Sequence, residues 1–255
     1  MHHAEEIDAS PLCMLFDFTM RVEITIPVYN EEKDLPKSIE TLSKFLAGVT
    51  LFESSIVIAD NASQDRTWDL AQALERQYPN VRALHISQKG RGLALRTVWS
   101  QSQADVVSYM DVDLSTSLRF FPLVIHGIII GYDVATGSRL LQASQTKRSL
   151  KRDVISRSYN HLVKLLFFNK FSDGQCGFKA IRREVAQRLL PHIQNNNWFF
   201  DTELLLLAEK HGLKIFEVPV EWVEDWESTV DIMRTATEDV KGLLRMRLAG
   251  FRQKI

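Results

Sequence analysis

The chain has 255 residues, of which 45% are hydrophobic and 25% charged, and its formal net charge is −1. This composition is typical of one globular domain with a large core, and the near-neutral charge argues against nucleic acid as a partner. Two cysteines, Cys13 and Cys176, cannot form a disulfide framework of the secreted type, so we expect a cytoplasmic setting.

The N-terminal 20 residues are acidic where a signal peptide is basic, and we expect them to form a loosely ordered leader. No stretch approaches the roughly 20 apolar residues of a membrane span. The longest candidate, 120–130, contains Pro122 and His126. We therefore expect a cytoplasmic protein, with peripheral contact at the cytoplasmic face of a membrane as a further option.

The first half of the chain alternates between strand and helix patterns. β-branched and apolar runs predict strands at 22–27, 55–59, 81–86 and 106–110. Apolar residues at helical spacing predict helices at 35–46, 66–77 and 92–102. This alternation predicts an α/β fold with a Rossmann-like, mostly parallel central sheet and helices on both faces.

The second half predicts fewer strands and longer helices. Helices are expected at 118–131, 162–168 (after a basic start at 147–157), 183–190, 200–211 and 229–251. Strands are expected at 133–137 and at 214–220, where Pro219 indicates a sheet edge or strand end, and residues 173–180 are expected to form a turn that enters a strand. We expect one domain over 21–230, followed by a basic amphipathic helix over 231–255 that packs on the domain or on a membrane surface.

Polar clusters follow each of the first four predicted strands. They are Tyr29-Asn30-Glu31, Asp60-Asn61, the segment 89–92, and the pair Asp111 and Asp113. The carboxyl ends of parallel strands meet at one edge of a sheet, where open α/β sheets bind ligands. We therefore expect these clusters to converge on one site.

Asp111 and Asp113 follow the short apolar strand predicted at 106–110. Two carboxylates at that position suit Mg²⁺ or Mn²⁺ held partly by substrate phosphates. The alternative is an acidic turn, because Asp is common in turns.

Three further groups of residues are candidates for chemistry. Lys89 and Arg91 lie in a Lys-Gly-Arg-Gly segment that opens a helix and suits a phosphate, or forms a flexible basic turn. Asp60 could accept hydrogen bonds from a nucleotide base, or act as a cap or turn residue. Glu203 behind an aromatic pair could serve as a general base, and Asp201 as a base or a helix N-cap.

Eight motifs in one order carry a resemblance to a known family. They are PVYNEE at 27–32, ADNASQD at 59–65, KGRG at 89–92, MDVDLST at 110–116, GSR at 137–139, DGQCGFKA at 173–180, FDTELL at 200–205 and EVPVEW at 217–222. This set resembles the family-2 glycosyltransferases of GT-A fold. It is most similar to the polyprenyl-phosphate branch, which holds the dolichyl-phosphate glucosyltransferases and dolichol-phosphate mannosyltransferases.

The resemblance implies a role for each matching residue. It implies nucleotide-sugar binding by Pro27, Tyr29, Glu31, Asp60, Lys89, Arg91 and Asp111, and metal binding by Asp111 and Asp113. It implies catalytic roles for Asp113, Glu203, Asp201 and Arg139, and contact with the acceptor for Gln175 and Lys179. Where family members often have Asp-Asp-Gly, this chain has Asp60-Asn61-Ala62.

The implied activity is an inverting, Mg²⁺- or Mn²⁺-dependent transfer of a hexose to a polyprenyl (dolichyl-type) phosphate. UDP-glucose is the favoured donor and GDP-mannose the alternative. Transfer to a soluble glycan or small-molecule hydroxyl stays open. A sugar-nucleotide nucleotidyltransferase is less favoured, because residues 28–31 are not a Gly-rich, Arg-containing loop. A binding module that has lost activity is disfavoured by the intact Asp111, Asp113 and Glu203.

Overall fold

A seven-stranded sheet is the centre of the fold in the computed structural model, which describes residues 20–224 and 232–249. The strands of the chain are β1 (Arg21–Val28), β2 (Glu53–Asn61), β3 (Val81–Ile86), β4 (Val106–Met110), β5 (Val134–Ser138), β6 (Gln145–Lys147), β7 (Phe178–Arg182), β8 (Ile215–Pro219) and β9 (Glu221–Val223). The helices are α1 (Leu35–Ala47), α2 (Thr67–Gln77), α3 (Arg91–Gln101), α4 (Phe121–Ile129), α5 (Leu150–Phe167), α6 (Arg183–Leu189), α7 (Phe200–Lys210) and α8 (Ile232–Ala249).

The strand order of the large sheet is β3-β2-β1-β4-β7-β5-β8. Strands β1 to β4 are parallel, as are β5 and β8, whereas β7 runs antiparallel to both of its neighbours. Strands β6 and β9 form a separate two-stranded sheet. The prediction of a mostly parallel sheet is confirmed, and Pro219 is the last residue of the outermost strand, where the ladder needs no further donor.

Two hydrophobic clusters cover the two faces of the sheet. Val57 and Ile58 are neighbours in β2 but belong to different clusters, because successive side chains of a strand point to opposite faces. One cluster packs the sheet against α1 and α4, and the other packs it against α3, α6 and α7. Helices therefore lie on both faces, as the sequence predicts.

Several predicted elements differ at their ends from those observed. The helix expected at 118–131 begins as a 3-10 turn over Leu118–Phe120 before α4. The apolar helix expected at 162–168 is the end of α5, which begins at Leu150 because the Ser149 side chain caps it at Arg152 N. The N-terminal segment expected to be a leader lies outside the described residues, apart from Met20.

Helix α8 packs against the rest of the molecule through one face. Leu243 and Met246 are buried in the same cluster as α7. Val240, Leu244 and Leu248 are exposed on its outer side. Among the helices described, none combines the length and the apolar character that crossing a bilayer requires.

Candidate active site

Asp111 and Asp113 lie at the carboxyl end of β4, whose five residues are all buried. The Asp111 side chain is 38% exposed, and Asp113 is exposed with its Oδ1 accepting a hydrogen bond from Ser115 N at 2.9 Å. Both border a small open cavity lined by Met110, Asp111, Asp113, Leu114, Ser115, Thr116, Gly177 and Phe178. The two carboxylates thus share one surface that is accessible to a ligand.

Gly177 explains how the loop before β7 comes so close to this cavity. A Cβ atom at this position would lie 1.8 Å from Asp111 Oδ2, so no other residue fits without displacing that carboxylate. The antiparallel direction of β7 pairs Met110 with Phe178 and brings its preceding loop to the end of β4. We call residues 173–177 the glycine loop.

Arg91 joins two of the predicted carboxylates. Its Nε and Nη2 donate to Asp111 Oδ1 at 3.2 and 2.8 Å, and its Nη1 donates to Asp201 Oδ2 at 2.5 Å. The guanidinium also lies over the rings of Tyr109 and Trp198. Burial alone would lower the pKa of Arg91, but the charges around it, including Asp111 and Asp201, hold it well above its usual value.

Asp201 is enclosed within the protein. Its side chain is 2% exposed, Lys179 Nζ lies 3.0 Å from Oδ1, and the Tyr109 hydroxyl donates to the same oxygen. Burial raises the pKa of this carboxyl, but Lys179 and Arg91 outweigh it, so the pKa lies below its usual value. Asp201 is not an N-cap, because the N-cap of α7 is Phe199.

Lys179 is buried, whereas the resemblance implied that it contacts the acceptor. It is 1% exposed, and its ammonium group donates to the Cys176 carbonyl as well as pairing with Asp201. Its charge is therefore used inside the protein, where it supports Asp201. Cys176 is also buried, and burial raises the pKa of its thiol to about 12, so the thiol stays protonated.

Glu203 points away from Asp201. Residues two apart on a helix differ by about 200° in direction, so the two carboxylates leave α7 on opposite sides. Glu203 is 2% exposed and its Oε2 accepts from Asn195 N at 2.9 Å and pairs with Arg245 at 2.9 Å. Glu203 thus lies between α7 and α8, where it is paired with Arg245, whereas the sequence suggested a general base in the site.

The loops after β1, β2 and β3 converge as expected. Asn61 links all three, because its Nδ2 donates to Val28 O at 2.6 Å and its Oδ1 accepts from Gly90 N at 3.0 Å. Lys89 Nζ lies 3.4 Å from the centre of the Tyr29 ring. The sequence pointed to Lys89 and Tyr29, but nothing in it indicated that Asn61 links these loops.

Two further residues of the first strand and its loop have mainly structural contacts. Pro27 is buried in β1 opposite Ala59. Glu31 N donates to the Thr67 hydroxyl at 2.7 Å, which ties the loop after β1 to the start of α2. These contacts fix the backbone beside Tyr29.

Asp60 itself does not reach the surface. It is 0% exposed, its Oδ2 lies 2.6 Å from His85 Nδ1, and its Oδ1 accepts from Ser63 N at 3.3 Å. The group exposed at this position is the His85 ring, which is 44% exposed and lies 5.2 Å from the Trp68 ring. No motif in the sequence points to His85, although pairing the two predicted strands in register would have placed it beside Asp60.

Arg139 is held by Asp173, a residue that the sequence did not single out. Its backbone N, Nε and Nη2 donate to the carboxylate at 3.1, 2.7 and 2.9 Å. Asp173 is 0% exposed; burial raises the pKa of its carboxyl, but Arg139 overrides this and lowers it to about 2. The guanidinium lies 5.6 Å from the Trp222 ring centre.

Arg148 adds a second cation near Arg139. Its side chain is 4% exposed and pairs with Asp153, and its Nε has no hydrogen-bond partner among the described residues. Burial lowers the pKa of Arg148 and repulsion from Arg139 lowers it further, while Asp153 raises it. The only sequence signal for this residue was the basic segment in which it lies.

Gln175 points into the protein toward α8. Its Nε2 donates to Asp239 Oδ2 at 2.6 Å, and its backbone N donates to Asp173 Oδ1 at 3.1 Å. Gln175 therefore differs from its expected place beside an acceptor. It connects α8 to the carboxylate that holds Arg139.

A divalent cation would find two ligands at this site. Within residues 20–224 and 232–249, no group of three or more His, Cys, Asp or Glu residues could hold a metal ion. Asp111 and Asp113 supply hard oxygen donors, which suit Mg²⁺ or Mn²⁺ when phosphate and water oxygens complete the shell. The donor set fits a metal that arrives with a phosphorylated ligand.

Comparison with known proteins identifies the class and then the family. The fold is that of GT-A glycosyltransferases. It resembles glucosyl-3-phosphoglycerate synthase from Mycobacterium tuberculosis, which was solved with Mn²⁺, UDP-glucose and phosphoglyceric acid. The TM-score is 0.68 over 90% of this chain and 80% of that one, at 16% sequence identity. The model of glycosyl transferase family 2 matches residues 23–190. The chain belongs to this family and is a glycosyltransferase, which confirms the resemblance inferred from the motifs.

The relatives carry more specific names. Glycosyltransferase AglD of Haloferax volcanii is 34% identical over 84% of this chain and 35% of its own length. Dolichyl-phosphate beta-glucosyltransferase of Dictyostelium discoideum is 30% identical over 89% of this chain and 73% of its own length. The human protein of the same name is 28% identical over 81% of this chain and 68% of its own length. The chain thus spans about a third of the first relative and roughly 70% of the other two.

Proposed function

We propose that this chain transfers a hexose, with inversion at the anomeric carbon, from a nucleoside-diphosphate sugar to a polyprenyl phosphate. UDP-glucose is the favoured donor, and GDP-mannose is the alternative. The names of the dolichyl-phosphate relatives support the acceptor, and the UDP-glucose complex of the structural neighbour supports the donor. The observation that carries the proposal is a contrast in charge between the candidate bases and the acceptor side.

Both candidate general bases are closed off. Asp201 and Glu203 are each 2% exposed, and each is paired with cationic side chains. An acceptor hydroxyl needs a base to remove its proton, whereas an acceptor phosphate is already an anion. The enclosed bases therefore favour a phosphate acceptor over a sugar hydroxyl.

Cations lie where an anionic acceptor would be held. Arg139 and Arg148 are close enough for Arg139 to lower the Arg148 pKa, and Arg139 lies beside the Trp222 ring. We assign the acceptor phosphate to Arg139, whose side chain is 14% exposed, with the charge of the buried Arg148 beside it, in place of Gln175 and Lys179, which point into the protein. Arg is suited to this role because its guanidinium binds phosphate oxygens through two parallel hydrogen bonds.

The donor is assigned to the loops after β1 to β4. The Tyr29 ring offers a face on which a base can stack, and His85, oriented by Asp60, offers a ring nitrogen at the same edge. Lys89, which lies over Tyr29 here, is long enough to move to the diphosphate. Asp111 is held in place by Arg91, so that Asp113 remains the exposed carboxylate nearest the leaving group.

The reaction follows from these positions. An oxygen of the acceptor phosphate attacks the anomeric carbon, the bond from that carbon to the diphosphate oxygen breaks, and the nucleoside diphosphate leaves with the electron pair. A Mg²⁺ or Mn²⁺ ion on Asp111 and Asp113 would neutralise charge that develops on the leaving diphosphate. Arg91 keeps Asp111 oriented, and Arg139 would hold the acceptor phosphate in line.

A lipid acceptor implies contact with a bilayer, which we assign to the outer side of α8. Val240, Leu244 and Leu248 recur every four residues and are 41, 49 and 83% exposed, and Lys241 and Arg247 beside them are also exposed. An apolar stripe flanked by basic residues suits the surface of an anionic bilayer. Leu248→Glu should reduce co-sedimentation with anionic vesicles, and unchanged co-sedimentation would remove this assignment.

The test of the activity is a transfer assay with separated donors and acceptors. The chain is incubated with Mn²⁺ or Mg²⁺ and with UDP-glucose or GDP-mannose, and dolichyl phosphate or phosphoglyceric acid is the acceptor. The proposal expects nucleoside diphosphate release and a glycosyl phosphate lipid. Transfer only to the water-soluble acceptor would overturn the lipid assignment. Release of pyrophosphate would indicate a nucleotidyltransferase, and no turnover with any pair would indicate a binding module.

A further inference from the structure

The glycine loop is supported from behind by three helices. Asn160 of α5 accepts a hydrogen bond from Gly174 N at 2.9 Å, and Asp239 of α8 accepts from Gln175 Nε2 at 2.6 Å. Thr202 of α7 lies against Gly174, where a Cβ atom would be 2.9 Å from its hydroxyl. The position of this loop therefore depends on how closely the helices, α8 among them, hold it.

The front of the same loop forms part of the site. Gln175 N donates to Asp173, whose carboxylate holds Arg139, and Gly177 lies against Asp111. If the loop moved, Arg139 on the proposed acceptor side and Asp111 on the proposed donor side would therefore move with it.

Asp239 is an unusual residue for such a contact. It is 3% exposed, and its Oδ1 has no hydrogen-bond partner among the described residues. The titratable groups that face it are Tyr159 from α5, Asp201 from α7 and its neighbour Glu238, while the glycine loop offers the uncharged Gln175. In the described part of the chain, no cation pairs with the Asp239 carboxylate.

The charged form of Asp239 is therefore disfavoured in the docked position. Burial raises its pKa to about 7, and repulsion from Glu238 and Asp201 acts in the same direction, while the hydrogen bond from Gln175 acts against it. A group whose pKa rises on docking binds more protons in the docked state, so docking weakens as the pH rises. The effect begins near the ordinary carboxyl pKa of about 4 and is complete above about 7.

We propose that Asp239 is a positioning residue whose protonated form holds α8 against the glycine loop and so keeps the loop in place beside Asp111 and Arg139. The equilibrium for release of the loop rises by up to about tenfold per pH unit across this range. The loop contact stands on the geometry alone, and its effect on transfer rests on the proposed function.

Hydrogen exchange of the full chain tests the loop contact without any substrate. After correction for intrinsic rates, protection of the Gly174 and Gln175 amides should fall about tenfold between about pH 5.5 and about pH 7. Asp239→Asn keeps the shape and the acceptor for Gln175 without a titrating charge, so its protection should be the same at both pH values. Glu238→Gln removes an equal charge one residue away and should retain the pH dependence, with its midpoint moved to lower pH because the repulsion that raises the Asp239 pKa is lost.

Transfer kinetics test the consequence for the site. The wild-type acceptor kcat/KM should fall with the same midpoint as the loop protection, and Asp239→Asn should remove that midpoint while Asp239→Ala lowers the rate at every pH. Equal pH dependence of exchange in wild type and Asp239→Asn, or none in wild type, overturns the proposal. If exchange behaves as expected but no polyprenyl phosphate is glycosylated, the loop contact stands and the proposed function fails.

Discussion

Two regions of the molecule meet at the site and are held together by different forces. The first-half loops (28–34, 60–66 and 87–90) are joined mainly by hydrogen bonds between side chains and backbone, such as those of Asn61, together with the contact between Asp60 and His85. The second-half region (139–149, 172–177 and 220–224) depends on buried charges. Its contacts include the pairs Arg139–Asp173 and Arg148–Asp153.

The difference in these contacts predicts which of the two regions should respond to pH and salt. A neutral hydrogen bond changes little with pH or salt, whereas a buried ion pair is lost when either partner loses its charge. The region built from charges is also the one that we assign to an anionic acceptor. We therefore expect acceptor use to vary more with pH than donor binding does.

The largest effect is expected where the two regions meet, at Asp113. Asp113→Asn should lower kcat/KM for sugar transfer by about a hundredfold or more, because it removes the charge that would hold a metal at the leaving group. Thermal stability should not change, since Asp113 is exposed. Asp69→Asn, an exposed carboxylate in the first turn of α2, is the matched control and should leave kcat/KM unchanged. A small loss in Asp113→Asn would remove the proposed metal role.

Gly177 tests how closely the two regions must approach. Gly177→Ala places a Cβ atom against the Asp111 carboxylate and should cost about 1 to 3 kcal/mol of unfolding free energy. It should also lower the transfer rate, because Asp111 has to turn. Gly48→Ala, where the nearest atom lies 3.6 Å from the new Cβ, should lower neither quantity. Chemical denaturation measures the unfolding free energy, and initial rates on the same samples measure transfer. If Gly177→Ala matches the wild type in both, the close approach of Gly177 to Asp111 is contradicted.

The Arg139–Asp173 pair makes the second-half region sensitive to acid. The Asp173 pKa of about 2 lies below its unfolded value near 3.8, so the carboxyl stabilises the fold fully above that value. This contribution, about 2 kcal/mol, should be lost as the pH falls through about 4 towards 2. Asp173→Asn should lower stability at neutral pH and flatten this part of the stability curve. An unchanged acid slope in the variant would show that Asp173 is not the titrating group.

Arg148 should separate acceptor use from donor use. Arg148→Met keeps much of the buried stem but removes the charge beside Arg139, and the acceptor KM should rise about tenfold. UDP binding, followed by calorimetry, should not change. Arg188→Met, on the exposed side of α6, is a control with the same change in charge. Equal effects on donor and acceptor would indicate that the two regions are not divided as we propose.

The smallest effect is expected at the rim of the first-half loops. His85→Gln should weaken UDP binding by about three- to tenfold, because one hydrogen bond to a ligand is worth about 1 kcal/mol. The change should be independent of the acceptor. His126→Gln, at an exposed position on α4, should leave UDP binding unchanged. Unaltered UDP binding in His85→Gln would show that the base lies elsewhere.

The sequence predicted the first-half loops better than the second-half region, and for a physical reason. Each loop after a parallel strand lies at a known edge, so Tyr29, Lys89 and Asp113 could be placed from strand periodicity alone. The pair Arg139–Asp173 joins residues 34 apart, one of them in the loop before the antiparallel strand β7, and no local pattern predicts that partner. For the same reason the sequence could not predict that the side chains of Glu203 and Lys179 point into the interior, where their ion partners lie.

The antiparallel strand β7 also limits how the protein can be taken apart. It lies between β4 and β5 and covers the edge of β4, so a fragment that ended before residue 173 would leave five core residues of β4 bordering an open edge. Such an edge pairs readily with other chains, and we expect that fragment to aggregate. We therefore expect that the first half of this domain does not fold as a separate unit, and that grafting or dissection has to keep residues 21–182 together.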